Sequence, residues 1–296
     1  MSENITHTAV TDDCSRLAVH APGICEEFKQ VLSEHRDVAR LGGIARGADE
    51  FTVGLFSNFR DAYATAGKLD ESLARKLAFT LGWLCHRAAD RQMKPVFREL
   101  DPDCDLSPTD CSIYHDVFLF REVYGEGEEH YIPALLEPSL NSLPGAEGLD
   151  ADEVEELLRA VWQRALLGLH TFIPDPNDIE GWISRLIATR QTWRVDIQRY
   201  AEAYANPDPE KLRRFIEEPN FYNPKDPVIR LARSIQRGEP LDMDVTKAVE
   251  AGFSQSQYAR ALSRGYIYIE SATQYWEYYI EEDRLAQMFQ IGEPDY

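Results

Sequence analysis

His86 and Asp90 stand four residues apart in the segment LARKLAFTLGWLCHRAADRQMKP. On a helix that spacing is about one turn, so the imidazole and the carboxylate project from one face. Such a donor pair suits zinc or another first-row divalent ion. The bare spacing also fits an ordinary His–Asp pair on a helix surface. Leu73, Leu77, Leu81, Leu84 and Ala88 recur every three or four residues, so the expected frame is an amphipathic helix. Trp83 and Cys85 flank the ligand face and read as core.

The flanks add to this pair. Gly82-Trp83-Leu84 precedes His86, and Lys94-Pro95 follows Asp90. The whole segment resembles a helix of the zinc-dependent phospholipase C family, whose pattern there is roughly A-x-x-L-G-W/Y-L-x-H-x-x-x-D-x-x-x-H-P. Ile5-Thr6-His7 is similar to that family's opening I-x-H. Leu41-Gly-Gly-Ile-Ala-Arg-Gly-Ala-Asp49-Glu-Phe51 resembles its L-G-x-x-x-P-D-x-F loop, and Cys111–Tyr124 supplies a second histidine-bearing helix through His115. The resemblance covers about residues 5–124. It implies an all-α, phospholipase C/P1 nuclease-like helical bundle, related to the S1/P1 nucleases. It also implies a zinc site acting on phosphoesters. Carried over by position, His7, Asp49, His86, Asp90 and His115 are the metal ligands, with Asp49 and Asp90 the favoured bridging carboxylates; Asp49 is also a candidate catalytic group, and Lys94, a departure from the family pattern, is the other. Paired ions of this kind generate hydroxide near neutral pH and clamp the attacking and leaving oxygens. The expected ligand is a phosphate-containing small molecule or lipid head group.

The chain departs from the pattern at three places. Lys94 stands where the family has its second histidine, and an ammonium donates but does not ligate. Lys94 would instead contact a phosphate or pair with Asp90. Four residues after His115, where the family has Glu, stands Leu119; Asp116 is adjacent and Glu122 lies two turns on. No histidine between Asp49 and His86 matches. A complete three-ion site is therefore not expected. One or two zinc ions, another divalent metal, or no metal at all stay open. A non-catalytic helical scaffold that binds a partner or small ligand is the alternative from a different class. A second hydrolase reading rests on His115-Asp116, which looks like the HD pair of helical HD-domain phosphohydrolases, with His86 upstream and Asp175 or Asp178 downstream.

Other groups read more simply. His170 ends a helix, where the dipole favours it. His130 reads as solvated, and His20 and His35 suggest no role. Tyr266, Tyr268, Tyr275, Trp276, Tyr278 and Tyr279 lie on more than one face of a helix. They read as core plus a face against a neighbouring helix or a second copy of the chain. Neither G-x-x-x-x-G-K-[ST] nor G-x-G-x-x-G occurs, nor G-x-S-x-G.

The elements that must position these groups read as helices throughout, with almost no alternating β-branched runs. Helices are expected over 4–20, 24–39 and 50–66, with 41–47 a turn-rich connection. Asp70 caps the next, which is expected to stop at Lys94-Pro95. A loop over 101–110 leads to a helix over 111–124. Asp150 and Glu153 form a capping box for 151–172. Asp178 caps a helix to about 205, and Pro209 takes a first helical position. Further helices are expected near 228–237 and 244–251, and a last one from Ser254 to near Phe289. The chain is expected to be one helical domain over 1–296, with a sub-boundary in the Pro/Gly-rich loop 133–149.

The chain has 296 residues, 44% of them hydrophobic, which suffices for a sizeable core. Lys and Arg number 31 against 51 Asp and Glu, a net charge of −20. That excess argues against a binder of nucleic-acid backbone, but not against a phosphate held by a bound cation. No apolar run approaches the ~20 residues of a membrane span. The five cysteines form no C-x-x-C pair, and the first residues lack a basic-then-apolar signal, so a reduced, cytoplasmic setting is expected.

Overall fold

The computed structural model describes residues 4–45, 49–103, 109–127 and 198–291, with 177, 178, 180, 181, 184 and 196. The protein is all-α: among the described residues there are helices and turns and no strand. Contacts group the chain into two compact units. The first comprises Met1–Thr6 and Val96–Pro219; the second comprises His7–Pro95 and Asn220–Tyr296. The loop 133–149, the helix expected over 151–172, His130 and His170 all lie outside the described residues.

The second unit contains most of α1 (Asn4–His20), then α2 (Glu26–Glu34), α3 (Arg36–Ile44), α4 (Asp49–Ala66) and α5 (Glu71–Leu100) as far as Pro95. Its remaining helices are α8 (Pro227–Gln236), α9 (Val245–Gly252), α10 (Gln257–Trp276) and α11 (Glu282–Met288). Phe28 lies against Phe56 and Trp276, and Phe56 against Phe289, with ring centroids 5.4–6.2 Å apart. These rings join α2, α4, α10 and the chain after α11 in one apolar core.

Within the turn-rich connection expected over 41–47, residues 41–44 are instead the last part of α3, Ala45 is its C-cap, and 46 and 47 lie outside the described residues. The glycines of α3 serve close helix approach rather than chain reversal. A Cβ on Gly42 would lie 2.0 Å from the carbonyl oxygen of Phe79, and one on Gly82 would lie 1.8 Å from that of Ala39. The backbones of α3 and α5 therefore touch, which only glycine permits at both positions. A Cβ on Gly43 would lie 2.2 Å from Thr11 Oγ1, so a side chain of α1 packs directly onto that glycine.

Helix α5 starts as expected, with Leu73 N–H donating to Asp70 Oδ1 at 2.8 Å. It does not stop at Lys94-Pro95 but runs to Leu100. Pro95 removes one i→i−4 bond, yet the helix continues because Phe97 beyond it is fully buried. The boundary between the two units falls at that proline. The last expected helix is likewise two. Ser256 caps α10, accepting from Ala259 N–H at 3.3 Å. The chain breaks after Trp276 through Tyr278, whose φ of 62° lies in the left-handed region, and resumes as α11. Tyr266, Tyr268, Tyr275 and Trp276 are buried, while Tyr278 and Tyr279 are exposed.

Two buried aspartates of α1 tie the second unit together. Asp12 receives two hydrogen bonds each from Arg36 (3.1 and 3.1 Å) and Arg40 (2.9 and 2.8 Å). Burial pushes the Asp12 carboxyl up, but the two guanidiniums outweigh it and hold it well below the usual carboxylate range. Asp13 pairs with Arg233 and Arg16 and accepts from Tyr258 Oη at 2.8 Å.

The first unit is built on α6 (Asp110–Tyr124), helical residues 198–205, and α7 (Pro209–Leu212), which leads into a π-turn over Arg213–Glu217. Thr109 caps α6 from Ser112 N–H, and Asp208 caps α7. Four residues after Phe215 stands Pro219, which has no N–H, so the Phe215 carbonyl lacks its helical donor. His115 Nε2 takes that carbonyl at 2.9 Å.

Candidate metal centre

Three of the expected ligands meet inside the second unit. His7 comes from α1, and His86 and Asp90 from successive turns of α5. Their ligand atoms all lie within 4.8 Å of one another. His7 Nε2 is 3.3 Å from Asp90 Oδ1, and His86 Nε2 is 3.3 Å from Asp90 Oδ2. The two imidazoles stack, with centroids 4.0 Å apart and planes 14° from parallel. The i, i+4 spacing of His86 and Asp90 puts both on one face, and the glycine-mediated approach of α1, α3 and α5 brings His7 onto that face.

The second nitrogen of His86 fixes which atom faces Asp90. Nδ1 lies 2.9 Å from the carbonyl oxygen of Gly43. That oxygen only accepts, so Nδ1 carries the proton, and in the neutral ring Nε2 keeps its lone pair. A backbone carbonyl holding the far nitrogen is the usual support for a metal-ligating histidine. Burial pushes the Asp90 carboxyl upward, but the His86 and His7 rings outweigh it and hold it well below the usual carboxylate range. The donor set of two imidazoles and one ionised carboxylate fits one divalent ion. The two 3.3 Å separations run to different carboxylate oxygens, and one donor atom from each residue lies within 4.8 Å of the others, so an ion with bonds of about 2.0–2.1 Å would draw the three donors inward.

Lys94 stands one further turn along α5. Its Nζ is 3.3 Å from Asp90 Oδ2, so the pairing with Asp90 considered from the sequence is present. The side chains grade outward along this face: His7 is 0% exposed, His86 6%, Asp90 16% and Lys94 23%. The cluster opens toward Lys94. Asp49 opens α4, but its side chain lies outside the described residues.

His115 belongs to the first unit and is engaged differently. Its Nε2 meets the Phe215 carbonyl and lies 3.7 Å from Cys111 Sγ, and its ring packs 5.2 Å from Phe97. Burial lowers its pKa to about 3 against the opposing hydrogen bond to Phe215, so the ring is neutral. Asp116, the other half of the HD pair, accepts from Ile5 N–H, Thr6 N–H, Thr6 Oγ1 and Tyr200 Oη. Those donors anchor the first turn of α1. Asp178 accepts from Gly181 N–H at 2.9 Å, as a cap does, and Asp175 lies outside the described residues. Glu122 is exposed and Leu119 buried. Trp83 and Cys85 are buried, as expected of core flanking the ligand face.

Sequence reasoning missed the Gly43 carbonyl and the paired Asp12 and Asp13. Two adjacent glycines beside Ile44, with a third inside α5, were the available sign of a close helix crossing. No helix among the described residues is long and apolar enough to cross a membrane. The chain matches no protein-family model, no curated protein and no solved structure.

Proposed function

We propose that the protein is a metal-dependent phosphoesterase-like hydrolase whose centre holds one divalent ion, zinc by preference, between His7, His86 and Asp90. The observation that carries this reading is the convergence of those three side chains, with the Gly43 carbonyl fixing the His86 tautomer. The reaction class comes from the resemblance of residues 5–124 to zinc-dependent phospholipase C. An ion held there would supply Lewis acidity toward a phosphoryl oxygen and lower the pKa of water. Asp90 offers its ionised carboxylate, and the stacked histidines shield it from solvent. Lys94 presents N–H donors at the outer end of the cluster, where a phosphoryl oxygen would enter.

Elemental analysis of chelator-free protein is the test. One equivalent of zinc, manganese or iron per chain is expected, with His86→Ala losing most of it. Turnover of a chromogenic phosphate ester would then follow metal content across the variants. Absence of metal even after incubation with zinc, or His86→Ala with undiminished metal, would overturn the reading. One observation favours a second reading, a non-catalytic helical scaffold: Lys94 already offers Asp90 a counter-charge at 3.3 Å. A metal-free protein that is as stable with chelator as with zinc would support it.

A further inference from the structure

We propose that Lys94 makes the ion-loaded centre a receptor for doubly charged phosphoryl groups, phosphate monoesters, rather than for singly charged phosphodiesters. The inference rests on the metal centre proposed above. It is carried by three facts: the shared oxygen, the outward grading of the face, and the charges of the four side chains.

His86 Nε2 and Lys94 Nζ each lie 3.3 Å from the same oxygen, Asp90 Oδ2. His7 Nε2 faces the other oxygen at 3.3 Å. An ion seated among the three ligands takes carboxylate lone pairs that the ammonium now uses. Two cations are not held side by side on one carboxylate oxygen without repulsion. The ion therefore displaces Nζ. Its flexible four-carbon stem begins one turn outward on the same face, so the displaced Nζ stays at the accessible end.

The charges then decide the ligand. In the loaded centre the imidazoles ligate through a lone pair and are neutral, and the Asp90 carboxylate and the Lys94 ammonium cancel. A divalent ion brings the four side chains to two net positive charges. A phosphate monoester dianion neutralises them, whereas a diester monoanion leaves one over. A third oxygen free of ester carbon also gives Nζ an acceptor that carries charge.

The experiment is manganese binding followed by electron paramagnetic resonance, titrated at about pH 8 with inorganic phosphate and, separately, with diethyl phosphate. The expected result is that phosphate tightens manganese binding at least tenfold more than diethyl phosphate does. Reciprocity requires manganese to tighten phosphate binding by the same factor. In Lys94→Met, manganese should bind at least as tightly as in the parent, since its competitor is gone, and the preference for phosphate should fall toward unity. Lys94→Arg keeps the charge and should keep the preference, which guards against a folding artefact in the Met variant. Equal coupling by both anions in the parent, or an undiminished preference in Lys94→Met, overturns the proposal while leaving the metal centre intact. Failure of manganese and of zinc to bind parent and Met variant alike overturns the metal centre and this inference together.

Discussion

Each buried polar side chain is legible in the sequence only as far as its partners are near in the chain. His86 and Asp90 are visible because four residues on a helix make one turn. His7 is not visible that way, since nothing in its own neighbours places it against a helix some eighty residues on; it entered through the resemblance alone. His115 entered by the same route, and the structure gives it a local task, taking a carbonyl orphaned by Pro219. That task has a measurable cost. The His115 pKa falls from 6.5 to about 3 on burial, so the unfolded chain binds the extra proton first. Stability is unaffected by this group above about pH 6.5. It falls as pH drops from there toward 3, by up to about 1.4 kcal/mol per pH unit. Urea denaturation between pH 6 and 4 should show a shallower loss in His115→Gln, which keeps a donor for Phe215 without a titrating ring. Equal slopes in parent and variant would refute this account of His115.

Helix starts follow their capping residues well: Asp70, Asp208 and Asp244 each accept from a backbone N–H two or three residues on. Helix ends are harder, because Gly and Pro were read as breakers when packing overrides them. Gly42 and Gly43 sit inside α3, and Pro95 inside α5. The glycines divide into two kinds, and substitution separates them. Gly54 in α4 is exposed and has nothing within 4 Å of an added Cβ. Gly54→Ala should stabilise the protein by about 0.5–1 kcal/mol through helix propensity. Gly82→Ala gains the same propensity but drives its Cβ into the Ala39 backbone, 1.8 Å from the carbonyl oxygen. Overpacking there costs about 1–3 kcal/mol, and a backbone atom has no rotamer to escape into. Thermal denaturation should move up for the first variant and down for the second. On the proposed metal reading, Gly82→Ala should also weaken metal retention, because the shifted crossing carries the Gly43 carbonyl away from His86. A melting temperature that rises in Gly82→Ala as well would show that the crossing is not as tight as described.

Over the whole chain, apolar periodicity announced helices, and composition a core and a net charge of −20. It could not announce how the chain is partitioned, because that depends on which distant segments share a core. The charge predicts a salt response. Self-repulsion among exposed carboxylates falls as the Debye length shrinks from about 30 Å at 0.01 M to about 8 Å at 0.15 M salt. The melting temperature should rise over that range, and a flat or falling curve would mean that the excess acid is already compensated locally. The buried pairs of Asp12 and Asp13 should be indifferent to it. Those pairs carry a further consequence, for the order of events during synthesis. Asp13 finds Arg233 and Tyr258 across 220 and 245 residues of chain. A ribosome must therefore release nearly the whole polypeptide before this aspartate can meet those two partners. Until then Asp13 has only Arg16 of its own helix as a partner. Closing so long a loop is slow, so refolding from denaturant should be limited by that docking step, and the early helices depend on protection from aggregation while they wait.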